Sequence, residues 1–232
     1  MKQGFAIAAT FFYLAVSAGA ADVAELTLKL KDKDTDTRRA AAQAIAEMGA
    51  EAKPAVVALT AALKDSDLFV RRFSAQALGE IGSDAKGAVP GLGAILKDAK
   101  EKKEVQEAAA LALGKIGTAG LTPLMAVLKD HDKEPSVRRN AVLGLSKMGA
   151  DAKSAIPTLI SELTAKDVGN KKMANPDSLK SDIVSALGDI ATAKDEDAIK
   201  AIEALVADKK AKKDKNLAKA VKDAVQKIKA RT

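Results

Sequence analysis

The sequence predicts an all-α solenoid of about five to six stacked helix pairs. Three observations predict it. Blocks that open on Leu-Lys-Asp recur along the chain, at Leu30, Leu63, Leu96 and Leu128. Each block closes on a glycine, Gly49, Gly82, Gly117 or Gly149, at intervals of 33, 35 and 32 residues. Between these marks the apolar residues recur at helical spacing, and no segment alternates as a strand would.

Residues 1–20 precede the repeats and read as a signal peptide. Lys2 is followed by an apolar run from Phe5 to Val16, and Ala18-Gly19-Ala20 offers small residues for cleavage between Ala20 and Ala21. The run is shorter than the roughly 20 residues a spanning helix needs. The expected mature protein is therefore exported, periplasmic or extracellular, and carries no membrane span. Tyr13 leaves with the leader, so Phe69 and Phe73 become the only aromatic residues.

Residues 21–207 hold the repeats. In each, a short first helix shows an apolar face, as in Val56, Leu59 and Leu63, or Leu121, Leu124 and Leu128. A longer second helix follows, with the stripes Val70, Phe73, Ala77, Ile81 and Val137, Ala141, Leu145, Met148. Asp67 and Asp132 stand where they can cap second helices. The closing glycines suit the position just past a helix end. Pro54, Pro90, Pro123 and Pro157 suit the start of the next helix. A fifth copy closes near Ala191, after the polar insertion 166–176, and a sixth runs to the C-terminus. One helix pair cannot bury its apolar face alone, so neighbours must stack.

Residues 208–232 read as a basic capping helix. They hold ten basic and three acidic side chains, against 27 and 28 in residues 21–207. Leu217, Val221, Ala224, Val225 and Ile228 form its apolar stripe.

The units written "LKDSDLFVRRFSAQALGEIG" and "LKDHDKEPSVRRNAVLGLSKMG" resemble HEAT repeats of the bacterial type shared with phycobilisome-lyase-like proteins. The resemblance covers about residues 24–192. It implies a curved, right-handed superhelix with a concave inner face. The third repeat departs from it, with Gln106-Glu107 in place of the Arg-Arg pair.

Asp32 and Arg38, Asp65 and Arg71, and Asp132 and Arg138 stand six residues apart. An acid in the turn can reach an arginine in the next helix, so these pairs are expected to lock the turn and form a structural ladder. Arg39, Arg72 and Arg139 have no evident partner and are candidates for binding, as are Lys209, Lys210, Lys212 and Lys213.

Chemistry finds little support in the sequence. There is no cysteine, and His131 is the one histidine, between Asp130 and Asp132. Similar repeats occur in deoxyhypusine hydroxylases, but their iron site needs several histidines. The resemblance to bilin lyases implies tetrapyrrole handling, which needs an apolar or aromatic pocket. Phe69 and Phe73 are instead expected in the core. No cofactor and no metal are expected.

The expected function is a non-enzymatic scaffold, a monomer binding a protein or peptide partner along an elongated surface. A polyanion-binding solenoid is one alternative; export and missing base-stacking aromatics disfavour nucleic acid. A lyase-like enzyme or tetrapyrrole chaperone is the other.

Overall fold

The computed structural model describes residues 22–165, 176–205 and 214–231. The expected leader, its cleavage point at Ala20 and Ala21, most of the insertion and Lys209, Lys210, Lys212 and Lys213 lie outside the described residues.

Twelve helices are described, and they form six consecutive pairs. They are α1 (22–29) with α2 (Thr35–Glu47), α3 (Val56–Ala62) with α4 (Leu68–Ile81), α5 (Val89–Lys97) with α6 (Lys103–Ile116), α7 (Leu121–Lys129) with α8 (Pro135–Lys147), α9 (Ile156–Thr164) with α10 (Pro176–Ile190), and α11 (Glu196–Leu205) with α12 (Lys215–Lys229). The described residues contain no strand.

The punctuation follows the chemistry of the chain. Gly49, Gly82, Gly117 and Gly149 all have positive φ, from 55° to 94°, a conformation that a side chain would strain. Each turns the chain out of a second helix into a 3-10 segment that leads to the next first helix. Pro90 and Pro157 stand in the first turns of α5 and α9, while Pro54 lies in the 3-10 segment just before α3.

Asp34, Asp67 and Asp214 cap α2, α4 and α12, accepting from main-chain N–H groups at 2.8–3.1 Å. Asp132 does not cap. Glu134 holds that position before α8 and makes no side-chain cap bond, because Pro135 opens the helix instead.

The stripes read from the sequence face the core, with Val56, Leu121 and Met148 only partly buried at its edge. Leu59, Val70, Ala77, Val137, Ala141 and Leu145 are fully enclosed and belong to one continuous core. Phe69 and Phe73 are corrections. Phe69 is 38% exposed and Phe73 only packs against the core's edge. A second helix in a stack has a third face, turned to solvent, and both rings lie toward it.

Second helices pack on one another far more extensively than first helices do. Small residues allow it: Gly79 lies over Ala112, Gly114 over Gly144 and Gly188 over Ala224. The layer with the tighter spacing is the inner, concave side of a stack. The array therefore curves toward α2, α4, α6, α8, α10 and α12.

The C-terminal helix is part of the stack. Leu217, Val221, Ala224 and Ile228 are buried, and α12 packs on α10 and α11. Arg231 donates to the carbonyls of Gly188 and Asp189, at 2.8 and 2.6 Å, which ties the chain end to the end of α10.

Candidate partner-binding groove

The first arginine of each pair forms a ladder, but with a different partner from the expected one. Arg38 donates to the main-chain carbonyls of Asp32 and Lys33 in its own turn, and to both carboxylate oxygens of Asp65 in the next repeat, at 2.7 and 3.0 Å. Arg71 likewise holds the carbonyls of Asp65 and Ser66, and takes both oxygens of Glu101 at 2.8 and 2.7 Å. Arg138 donates to the Leu128 carbonyl at 3.1 Å and to Glu162 at 3.1 Å. The expected side-chain pairs Asp32–Arg38, Asp65–Arg71 and Asp132–Arg138 are thus replaced by pairs across repeats. The guanidinium fork is filled by carbonyls on one edge within its own repeat, so its other edge reaches outward to the neighbour.

Electrostatics follow this geometry. Burial resists ionisation of Asp65 most strongly, but the Arg38 guanidinium and the Asp67 main-chain N–H together outweigh it and hold the carboxyl below its ordinary range. Burial pushes the Arg138 guanidinium down, opposed by Glu162. Arg138 is 1% exposed, and the Glu162 carboxylate also accepts from the His131 ring Nε2–H at 2.8 Å. His131 is therefore half-exposed in its turn, yet anchored to a buried acid.

Replacing Arg71 with alanine is expected to lower stability by about 1–3 kcal/mol, because Glu101 and two carbonyls lose their donor. Arg72→Ala loses only its contacts over two rings and is expected to cost under about 1 kcal/mol. Thermal melts of the two variants check this difference.

Two of the second arginines are not unpartnered as expected. Arg39 binds Asp67 bidentately at 2.9 and 2.6 Å and Asp36 at 3.0 Å; Arg139 binds Asp182. Asp36 precedes Arg39 by three residues on α2, but Asp67 caps the next second helix, α4, and Asp182 lies on α10, the second helix after α8; sequence spacing could not show these two. Arg72 differs. Its guanidinium lies over Phe73 at 4.8 Å and over Phe69 at 5.5 Å, its buried Nε has no hydrogen-bond partner, and no carboxylate among the described residues pairs with it. The cause is local: the cap position that Asp67 offers to Arg39 is held in the next repeat by Lys102.

The Arg39 bonds and the capped N–H groups of Val70 and Phe69 draw the Asp67 carboxyl from its ordinary 3.8 down to about 2. Since the folded value is the lower, the stabilisation is present above pH 3.8 and is lost as pH falls toward 2. Carboxyl carbon shifts of Asp67 followed by NMR between pH 5 and pH 1.5 are expected to show this late midpoint, and Arg39→Ala is expected to raise it.

Arg72 lines a groove of about 450 Å³ along α4, α6 and α8, with Gln76, Glu104, Glu107, Leu111 and Asn140. A second groove of about 420 Å³ adjoins it along α6, α8 and α10, sharing Glu107 and Asn140 and adding Leu143 and Ser185. Leu143 is 44% exposed. The two form one channel across the concave face, polar at its sides and apolar at Leu111 and Leu143.

Of the expected binding residues, the structure brings Arg72 and Arg139 into this channel. It adds Gln76, Glu104, Glu107, Leu111, Asn140 and Leu143, none of them expected from sequence as a binding residue. The Gln106-Glu107 departure from the repeat pattern was the one signal that pointed there.

An array of stacked helix pairs with an open channel on its tighter face defines a helical-repeat solenoid. The chain belongs to the HEAT-repeat family, whose pattern matches residues 23–102 and 89–174. Comparison with curated proteins finds no match. Among solved structures, it is similar to a designed armadillo repeat protein in complex with the peptide (KR)4, at 18% identity and TM-score 0.59, covering 88% of this chain and 98% of that one. It is similar to the complex of CpcE and CpcF of phycocyanin lyase from Nostoc sp. PCC7120, at 22% identity and TM-score 0.56, covering 84% and 73%. It is also similar to an engineered protein, at 22% identity and TM-score 0.56, covering 90% and 97%.

Proposed function

We propose that this chain is an exported, non-enzymatic HEAT-repeat scaffold that binds a segment of a partner protein along its concave face. The observation that carries this reading is the channel over α4, α6, α8 and α10. It is long, open and shared between repeats, and it presents polar groups that pair with nothing among the described residues beside the exposed Leu143 and the half-buried Leu111. Such a surface suits an extended chain better than a compact small molecule, which needs an enclosing pocket. The designed neighbour that holds a peptide supports the same reading.

Export rests on the apolar leader and the Ala18-Gly19-Ala20 site. Among the described residues no helix is long and apolar enough to cross a membrane. Mass spectrometry of the protein isolated from its source is the test, with Ala21 as the expected N-terminus.

Affinity capture from a cell-envelope extract tests the scaffold itself. A partner retained by the wild type and lost by Leu143→Asp, with folding intact, is expected. Equal capture by both would contradict the reading.

A further inference from the structure

We propose that the channel at the third repeat recognises a basic side chain, Lys or Arg, in an extended segment of the partner protein. This rests on the scaffold reading above and assigns the chemistry of its partner.

The inference starts from a local exception. Arg38, Arg39, Arg71, Arg138 and Arg139 each bind a carboxylate of the next repeat. The third repeat instead carries Gln106 and Glu107 at the paired positions. Gln106 keeps the structural half of the arginine's work: it is buried and donates to the Asp98 carbonyl at 2.6 Å, so the turn is still held. Glu107 has no such role. It stands one position on, where the other repeats place Arg39, Arg72 and Arg139, and it faces both halves of the channel.

The reversal of charge is therefore confined to the channel surface. Glu104, one turn earlier on α6, lines the same groove. Among the described residues neither carboxylate has a cation within ion-pair distance, although Glu80 in the same groove is paired with Lys115. Two unpaired carboxylates against the one unpaired Arg72 leave the channel short of positive charge. That complements a cation and disfavours a polyanion, whose phosphates would meet Glu104 and Glu107.

The rest of the channel says what carries the cation. Leu111 follows Glu107 by one turn in the first groove and Leu143 on α8 lines the second, giving apolar surface in both grooves that Glu107 faces. Gln76 on α4 and Asn140 on α8 flank them, and neither amide has a hydrogen-bond partner among the described residues. Amides offer a donor and an acceptor together, which matches peptide main chain. Arg72, held over Phe69 and Phe73, closes one end against a second cation and can take a carbonyl or carboxylate there. The occupant this describes is an extended peptide with a basic residue next to an apolar one.

Panning the purified protein against a displayed library of linear twelve-residue peptides provides the probe. The enriched peptides are expected to share Lys or Arg beside an apolar residue. A synthetic peptide of that consensus is expected to bind about tenfold more weakly to Glu107→Gln, and about tenfold more weakly again to Glu104→Gln with Glu107→Gln, the size expected when a charge-assisted hydrogen bond is lost. Circular dichroism and melting of these surface variants are expected to match wild type. Glu107→Arg, which restores the pattern of the other repeats, is expected to turn selection toward acidic peptides. A consensus without a basic residue, blocked by Leu143→Asp but not by the glutamine variants, would overturn the cation site and leave the channel as the binding face. No enrichment, or a consensus insensitive to every channel variant, would overturn the scaffold reading as well.

Discussion

Arg138→Ala is expected to destabilise the protein by about 3–5 kcal/mol, more than any other ladder substitution. Arg138 is 1% exposed and Glu162 is 6% exposed, so their pairing happens away from water. Bringing both ions there is costly, and their attraction offsets that cost only while both are present. Removing Arg138 leaves Glu162 buried without its guanidinium, held by the His131 bond, which costs about this much. The Leu128 carbonyl would lose its side-chain donor at the same time. The surface-facing rungs are predicted to cost less, since Arg38 and Arg71 keep access to water. Chemical denaturation of Arg138→Ala measures the loss. The double variant Arg138→Met with Glu162→Met is expected to recover most of it, because no charge is then stranded. A double variant as unstable as the single one would show that the lost arginine bonds, and not the stranded glutamate, dominate.

Gly114→Ala is the second large effect, expected at about 3 kcal/mol. The added methyl would lie 2.4 Å from the Gly144 Cα and 3.0 Å from its carbonyl oxygen. Both neighbours are backbone, so no rotamer change can relieve the clash. The helices α6 and α8 must separate, and the core between them opens. Gly87→Ala makes the contrast. Nothing lies within 4 Å of its new methyl and its φ is not positive. That substitution is expected to leave stability unchanged or raised by about 0.5 kcal/mol, through a less flexible unfolded chain. Equal melting temperatures for the two variants would mean that α6 and α8 do not pack at the distance described.

Local chemistry was legible in the sequence; relations between repeats were not. The glycines that end the second helices declared themselves through spacing, and Gly49, Gly82, Gly117 and Gly149 do take positive φ. Helical spacing gave the buried stripes because a stripe is a property of one helix. It failed at Phe69 and Phe73, because a second helix touches its own first helix and both neighbours while keeping a solvent face. A stripe with several outlets does not say which residue lies at its edge.

The ladder shows the same limit. Aspartate and arginine six residues apart looked like partners, and the arginines do reach that turn, but at its main-chain carbonyls. Their carboxylates sit 27, 30 and 24 residues further on, at Asp65, Glu101 and Glu162. Only the stacking distance brings them together. The channel was hidden for the same reason: Arg72, Glu107 and Asn140 come from three helices. The break at Gln106-Glu107 was visible, but its meaning depends on knowing that one of the two residues faces inward to the turn and the other outward to the channel.

The most direct measurement is site-specific photo-crosslinking of the protein in its native envelope extract. A photo-reactive residue at Leu143 or Leu111, on the concave face, is compared with one at Val57, which is 82% exposed on a first helix. Crosslinks to one partner from both concave positions, and none from Val57, are the expected result. Crosslinking from Val57 with silence at Leu111 and Leu143 would place the partner on the outer face and contradict the assignment of the channel.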